Sequence, residues 1–206
     1  MEQADKMANL EKEQTFLMMK PDGVVRGLTG EVIKRIERCG LKIVALKMFW
    51  ATRDQIDEHY PKSEAWLNRI GEKTKVNYDK YGLDIKTLGT ENNKEIGLMV
   101  RGWLLDYLTS APMVKMVIEG PHAVDLVRKM AGNTIPAQAE MGTIRGDFSV
   151  DSAAFANRDK RAIFNIIHAS ETPEEASHEI DFWFGPEDIH EYEKVEENTY
   201  KFVKRG

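Results

Sequence analysis

Asn165-Ile166-Ile167-His168-Ala169-Ser170 is the stretch on which the reading of this chain turns. Two β-branched residues run straight into a histidine, and Ile166 and Ile167 suit a buried strand end. The residues that follow read as a helix start. Thr172 is the N-cap, Pro173 fits the first helical position, and Glu174 and Glu175 suit the positive end of the helix dipole. His168 is therefore expected at a strand end facing a helix N-terminus, a location that favours anions. Glu179, inside that helix, is placed to fold back toward the loop.

Elsewhere in the chain, four basic residues sit beside Gly, Pro or Thr in loop-like or helix-end contexts: Lys20, Arg26, Arg128 and Arg145. A histidine nucleophile ringed by cations that grip phosphate is a coherent site for phosphoryl transfer. Imidazole is a good nucleophile near neutral pH, and arginine offers a planar fork for two phosphate oxygens where lysine offers a point charge.

Composition bounds the alternatives. The 206 residues carry a net charge of −5, with 42% hydrophobic and 31% charged residues. That describes an ordinary globular protein large enough for a real core. The acidic balance argues against a nucleic-acid-coating protein, which needs clustered Lys and Arg. The single cysteine, Cys39, excludes an internal disulfide framework and a Cys-based zinc site. Residues 1–14 are polar without an apolar core and read as an N-terminal extension, not a secretory signal. No segment has transmembrane length without charges. The simplest compartment is the cytoplasm.

Taken in order, residues 15–19 read as a first strand ending in a Lys20-Pro21-Asp22-Gly23 turn. Residues 28–39 have helical spacing and stop at Gly40. Residues 41–50 read as a second, mostly buried strand, and Thr52 caps a short helix over 53–60. Residues 61–97 are polar and poor in aliphatics, a surface insertion with some helix. Helical spacing returns over 98–108, a third strand spans 113–118, and a helix spans 121–130. Residues 134–142 read as a loop. A second polar insertion covers 149–161, then a strand over 162–167 and a helix over 173–182. This β-α-β-α-α-β-α-β-α order, with right-handed crossovers, points to a ferredoxin-like antiparallel four-stranded sheet covered by helices, of the α+β kind, with two polar insertions.

At this point the chain resembles the nucleoside diphosphate kinase family from residue 15 to about 192, the two insertions apart. The resemblance rests on Met19-Lys20-Pro21-Asp22-Gly23 with Arg26-Gly27-Leu28, on Ser110-Ala111-Pro112, and on Glu119-Gly120. It also rests on Thr134 with Pro136-Ala137, on the run from Gly142 to Phe148, on the Asn165 to Ser170 stretch, and on Glu179. It implies one kinase domain over 15–206, oligomers (a hexamer or tetramer), Mg²⁺, and exchange of a terminal phosphoryl group between nucleoside triphosphates and diphosphates such as ATP, GTP, ADP and GDP. By the same resemblance His168 matches the histidine that is phosphorylated, supported by Ser170 and Glu179. Lys20, Arg128, Thr134 and Arg145 match phosphate-binding positions, Asn165 a contact to the sugar hydroxyl, and Tyr60 a tyrosine near the phosphates. No fixed metal site is implied, since Mg²⁺ travels on the nucleotide.

Three positions depart from the family pattern. Ala169 stands where glycine is usual, so the backbone after His168 must avoid glycine-only angles. Glu171 replaces an aspartate. The insertion before Leu98 displaces the aromatic that meets the base, and gapless counting puts Val100 there. The wall Val100, Trp103 and Leu104 is then the expected base site, with Trp103 as platform, or with Trp66 or Tyr81 folding over from the insertion. Competing readings are a nucleotide-binding scaffold protein, an RNA binder and a P-loop kinase. The complete phosphate set argues against the first. The second lacks paired aromatics and a basic surface, and the third lacks a G-x-x-x-x-G-K-[ST] run.

Overall fold

The computed structural model describes residues 12–195. Of the expected N-terminal extension, residues 1–11 lie outside that span. Four strands, β1 (Gln14–Met19), β2 (Lys42–Phe49), β3 (Met113–Glu119) and β4 (Ile167–Ala169), form one sheet in the order β2-β3-β1-β4. Every neighbouring pair is antiparallel. This is the expected ferredoxin-like arrangement.

Strand β1 lies centrally and buries both faces. Its alternation sends Leu17 and Met19 to one side, where they meet Met116 and Ile118 of β3. Helices α2 (Thr29–Arg38) and α6 (Ala123–Ala131) cover that side through Val32, Ile36 and Val127. Phe16 and Met18 point the other way. There they meet Ile56 of α3 (Arg53–His59), Leu108 of α5 (Asn93–Leu108) and Trp183 of α9 (Pro173–Trp183). Each such large apolar side chain contributes about 1.5–3 kcal/mol by leaving water, so a sheet buried on both faces is the main source of stability.

Two local expectations change. The Lys20-Pro21-Asp22-Gly23 turn is the start of a short helix, α1 (Pro21–Val25), with Lys20 as its N-cap residue and Pro21 at the first position. Strand β2 is not mostly buried: Leu46 and Met48 are exposed. It lies at the sheet edge with β3 as its one neighbour, and its partial alternation could not reveal that position.

The segment 61–97 is more ordered than its composition implies. It contains α4 (Glu64–Lys80), a 3₁₀ turn at Ile85–Leu88, and the first turn of α5. Leu67, Gly71, Thr74 and Tyr78 form the buried face of α4. That spacing is helical, but two of its four positions are Gly and Thr, which hides it from an apolar count. Tyr78, Leu88 and Ile96 make a small cluster of their own, against which Val100 and Trp103 pack. After α7 (Ile144–Phe148), residues 149–161, expected to be a polar insertion, contain α8 (Ala153–Arg158), which buries Ala153, Ala156 and Asn157. The Tyr78 hydroxyl donates to the Asn157 backbone carbonyl at 3.0 Å, tying the two segments together.

Helices α4 and α5 meet backbone to backbone. A Cβ on Gly97 would lie 2.1 Å from the Leu67 carbonyl oxygen, and one on Gly71 would lie 1.9 Å from that of Asn93. Gly97→Ala must therefore push the helices apart, and overpacking of this kind costs about 1–3 kcal/mol. Gly102 lies in the same helix with nothing near its missing Cβ, so Gly102→Ala should raise stability by up to about 1 kcal/mol through helix propensity. Urea unfolding of the two variants checks the contact; equal effects would contradict it.

Candidate active site

The site starts from β4 and its period of two. Ile167 and Ala169 join the core under α2 and α6. His168 points to the opposite face, with its ring 6.0 Å from that of Phe16. The expected strand over 162–167 begins only at Ile167, because Ile166 has a φ of 69°. A β-branched residue pays a steric penalty there. Two hydrogen bonds hold it: its N–H donates to Asp22 Oδ2 at 3.1 Å and its carbonyl accepts from the Lys20 N–H at 2.7 Å. The Tyr107 hydroxyl donates to the other oxygen of Asp22. Ala169 itself has no left-handed backbone, so the missing glycine leaves the strand intact.

Helix α9 has the expected start. Thr172 caps it by accepting from the Glu175 N–H at 3.2 Å, with Pro173 at the first position. Two turns in, Glu179 is 3% exposed and reaches back to both expected partners. His168 Nε2 lies 2.6 Å from Glu179 Oε1, and the Ser170 hydroxyl donates to Oε2 at 2.6 Å. Burial pushes the Glu179 carboxyl up, but the hydrogen bonds from His168 and Ser170 outweigh it and hold the group below its ordinary value. An ionised carboxylate accepts, so His168 Nε2 carries the ring proton and Nδ1 keeps the lone pair.

His59, at the end of α3, was missed by sequence reasoning. Its Nε2 lies 3.6 Å from Glu179 Oε1, its ring 5.3 Å from the His168 ring, and Trp183 Nε1 donates to its Nδ1 at 3.4 Å. Burial, then the neighbouring His168, push its pKa down to about 4. Nothing in the local sequence His59-Tyr60 distinguishes it from a surface helix end. His59, His168 and Glu179 are also the one group among the described residues whose donor atoms lie close enough to share a metal ion.

One cleft of about 590 Å³ gathers His168 with Lys20, Arg128, Arg145, Asn165 and Thr134. Lys20 is buried and donates to Asn165 Oδ1 at 2.7 Å. Burial, reinforced by Arg145 and opposed by Asp22, lowers its pKa to about 7. Asn165 in turn donates to the Thr134 carbonyl at 2.9 Å. Arg128, half exposed, lies 3.6 Å from Glu171. Tyr60 lines the same cleft. Arg26 does not: it lines a separate hollow beside Asp147 and Phe155, so the expected ring of four cations is three.

Arg145, which lines the cleft, is also a brace within the fold. Its guanidinium donates to three backbone carbonyls, those of Gly132 at 2.7 Å, Ile167 at 2.8 Å and Asn165 at 3.1 Å. It is a strut joining the loop after α6 to the residues on both sides of Ile166. For the base, Trp66, Val100, Trp103 and Leu104 all line the cleft, and Tyr81 does not. Trp66 also sits 6.5 Å, ring to ring, from Tyr60. No helix among the described residues is long and apolar enough to cross a membrane.

Comparison with known proteins places this geometry. The family model described as nucleoside diphosphate kinase matches residues 13–66 and 100–189. A nucleoside diphosphate kinase from Pyrobaculum aerophilum is 47% identical over 178 residues, covering 86% of this chain and 97% of the relative. One from Pyrococcus furiosus is 40% identical over 196 residues, covering 95% of this chain and 98% of the relative. The crystal structure of the Pyrobaculum aerophilum NDP kinase superposes with a TM-score of 0.84 at 46% identity, covering 87% of this chain and all of that one. A Borrelia burgdorferi nucleoside-diphosphate kinase, solved as a transition-state mimic with vanadate and ADP, gives 0.72 at 33% identity, covering 92% and 97%.

Arg145→Ala should lower stability by at least about 2 kcal/mol, because it orphans carbonyls that a charged donor now satisfies. Thermal unfolding measures this. A variant as stable as the parent would refute the strut.

Proposed function

The chain belongs to the nucleoside diphosphate kinase family, and on that premise we propose that His168 carries the phosphoryl group between a nucleoside triphosphate and a nucleoside diphosphate in a two-step, ping-pong cycle. The enzyme is a phosphotransferase. The observation that carries the mechanistic reading is the bridge of Glu179 to both His168 and Ser170, with His168 lining a cleft that also holds Lys20, Arg128 and Arg145.

A triphosphate enters with its phosphates toward Lys20, Arg128 and Arg145. His168 Nδ1 attacks the terminal phosphorus; the bond to the bridging oxygen breaks, and the diphosphate leaves with that electron pair. Glu179 keeps the Nε2 proton in place and stabilises the positive charge that develops on the ring. In the second half, a terminal oxygen of another diphosphate attacks the phosphorus and the P–N bond breaks, returning the lone pair to Nδ1. The transition state is loose, with charge spread over the equatorial oxygens, so positioned cations do most of the work. Asn165 is the sugar-hydroxyl contact, Thr134 and Tyr60 complete the phosphate end, and the base lies toward Trp66, Val100 and Trp103.

Mg²⁺ is the cofactor in this reading, brought by the nucleotide. The residues fit that arrangement, since the carboxylates lining the cleft are engaged: Glu171 lies beside Arg128, and Glu175 accepts from the Glu171 N–H. When bound, Mg²⁺ neutralises charge on the phosphate oxygens. We further propose a homo-oligomer, a hexamer or tetramer, acting in the cytoplasm to maintain nucleoside triphosphate pools. The apolar edge of β2, with Leu46 and Met48 exposed, supports self-association.

Incubation with γ-labelled ATP should give an alkali-stable, acid-labile label on the protein. His168→Asn should abolish both label and turnover; a variant that still labels would sink the mechanism.

Lys20 adds a pH prediction. Its folded pKa of about 7 lies below its ordinary 10.5. Below pH 7 it is charged folded or unfolded, and the burial cost is fully present. Between about 7 and 10.5 only the unfolded chain holds the proton, so this group's contribution to stability rises with pH. Phosphate binding pulls the other way, favouring the charged form. A non-hydrolysable triphosphate should therefore take up about one proton near pH 8, read by calorimetry in buffers of different ionisation heat. Lys20→Met should lose that uptake, and uptake that persists would assign it elsewhere.

A further inference from the structure

Helix α3 is seven residues long, with His59 as its last residue and Tyr60 as its C-cap. The final carbonyls of a helix have no partner inside it, and a helix this short has little stability of its own. Where His59 and Tyr60 stand therefore depends on what the end of α3 is tied to.

Arg101 of α5 supplies a tie. It is 9% exposed and does not line the cleft. Its Nη1 donates to Asp57 Oδ1 at 2.5 Å and its Nη2 to the Asp57 carbonyl at 2.6 Å. Longer bonds run from Nη2 to the Tyr60 carbonyl at 3.4 Å and from Nε to the Pro61 carbonyl at 3.3 Å. All four acceptors fall between residues 57 and 61, on both sides of His59, and one planar fork reaches them. The cation also suits the negative end of the helix. Lys62 pairs with the second oxygen of Asp57, so that carboxylate has a partner besides Arg101. The same stretch carries the His59 ring to Glu179 and Tyr60 to the cleft.

We propose that Arg101 is a positioning residue for phosphoryl transfer: from outside the cleft it braces the end of α3, and so sets Tyr60 at the phosphate end and His59 against Glu179. The inference rests on the proposed function, since it takes His168 as the phosphoryl carrier. The brace touches no nucleotide, and Tyr60 is one contact among several. Its loss therefore falls on the geometry of transfer more than on nucleotide affinity, and small misplacements at a reacting centre cost up to about 10²-fold in rate. Lysine is no substitute, because a point charge can keep the Asp57 pair but cannot span three carbonyls.

Single-turnover phosphorylation of the full chain by ATP, with ADP affinity read by calorimetry, tests this on Arg101→Lys, Arg101→Gln and Asp57→Asn. Both Arg101 variants should transfer about 10- to 100-fold more slowly while binding ADP within about threefold of the parent. Asp57→Asn keeps an acceptor and every carbonyl bond, and should stay within about twofold of the parent in rate. The placing of His59 is read without turnover, from the pH titration of its ring proton resonances. In the parent, burial and then His168 hold its pKa at about 4, opposed by Glu179 and reinforced by Lys20 and His178. In an Arg101 variant it should rise toward the ordinary 6.5. A folded Arg101 variant with the parent's rate, or with His59 still titrating near 4, would overturn the proposal. A slow Asp57→Asn would overturn it too, by placing the effect in the ion pair. A parent that transfers no phosphoryl group would count against the proposed function, and the His59 titration would still decide the brace.

Discussion

Ile166 is held in a backbone conformation that its branched side chain opposes, and the site depends on that. With φ at 69°, the chain turns sharply just before β4, and His168 then falls on the face of the sheet that carries Phe16, His59 and Glu179. The penalty for such a conformation is about 1–3 kcal/mol. It is met by bonds at both ends of the residue, from Asp22 and from the Lys20 backbone. Those two residues are neighbours in the α1 turn. The element that presents the Lys20 ammonium is thus the same one that forces the histidine into place, and ammonium and imidazole are positioned as a unit.

The electrostatics follow from that packing. Lys20 and Arg145 are both buried, with no carboxylate in ion-pair contact with either among the described residues; Arg145 adds to the burial that lowers the Lys20 pKa, and Arg128 adds to the burial that lowers that of Arg145. Their hydrogen bonds go to Asn165 and to backbone carbonyls. A pair of buried like charges is a liability to the empty protein and an asset once a polyphosphate arrives, because low dielectric magnifies both repulsion and attraction. Glu179 is engaged by His168 and Ser170 and pairs with neither cation.

The inserted segments belong to the same architecture. Helix α4 is locked onto α5 through glycines that allow carbonyl oxygens within van der Waals reach, and α8 is locked onto α4 through Tyr78. The result is a wall of the cleft built from both inserted segments. Trp66, Asn77 and Asn157 line that part of the cleft.

The sequence alone pointed to the fold class and the succession of strands and helices, because strand alternation and helix spacing are local, but it placed the fourth strand over 162–167 where the fold has Ile167–Ala169. It also singled out residues that the fold brings together, His168 with Glu179 and Ser170, and Lys20, Arg128, Thr134, Arg145 and Asn165 in one cleft, because their types and order resemble a specific pattern. It could not determine that β2 is an edge, that Arg26 faces another hollow, or that Arg145 braces three carbonyls, since each depends on contacts between residues far apart in the chain. His59 was invisible for the same reason: its meaning lies in Glu179 and Trp183, more than a hundred residues away. The left-handed Ile166 was hidden because propensity argues the opposite, and only tertiary hydrogen bonds override it. What tertiary structure decided, then, was orientation: which way each side chain faces, and which buried group is left without a partner.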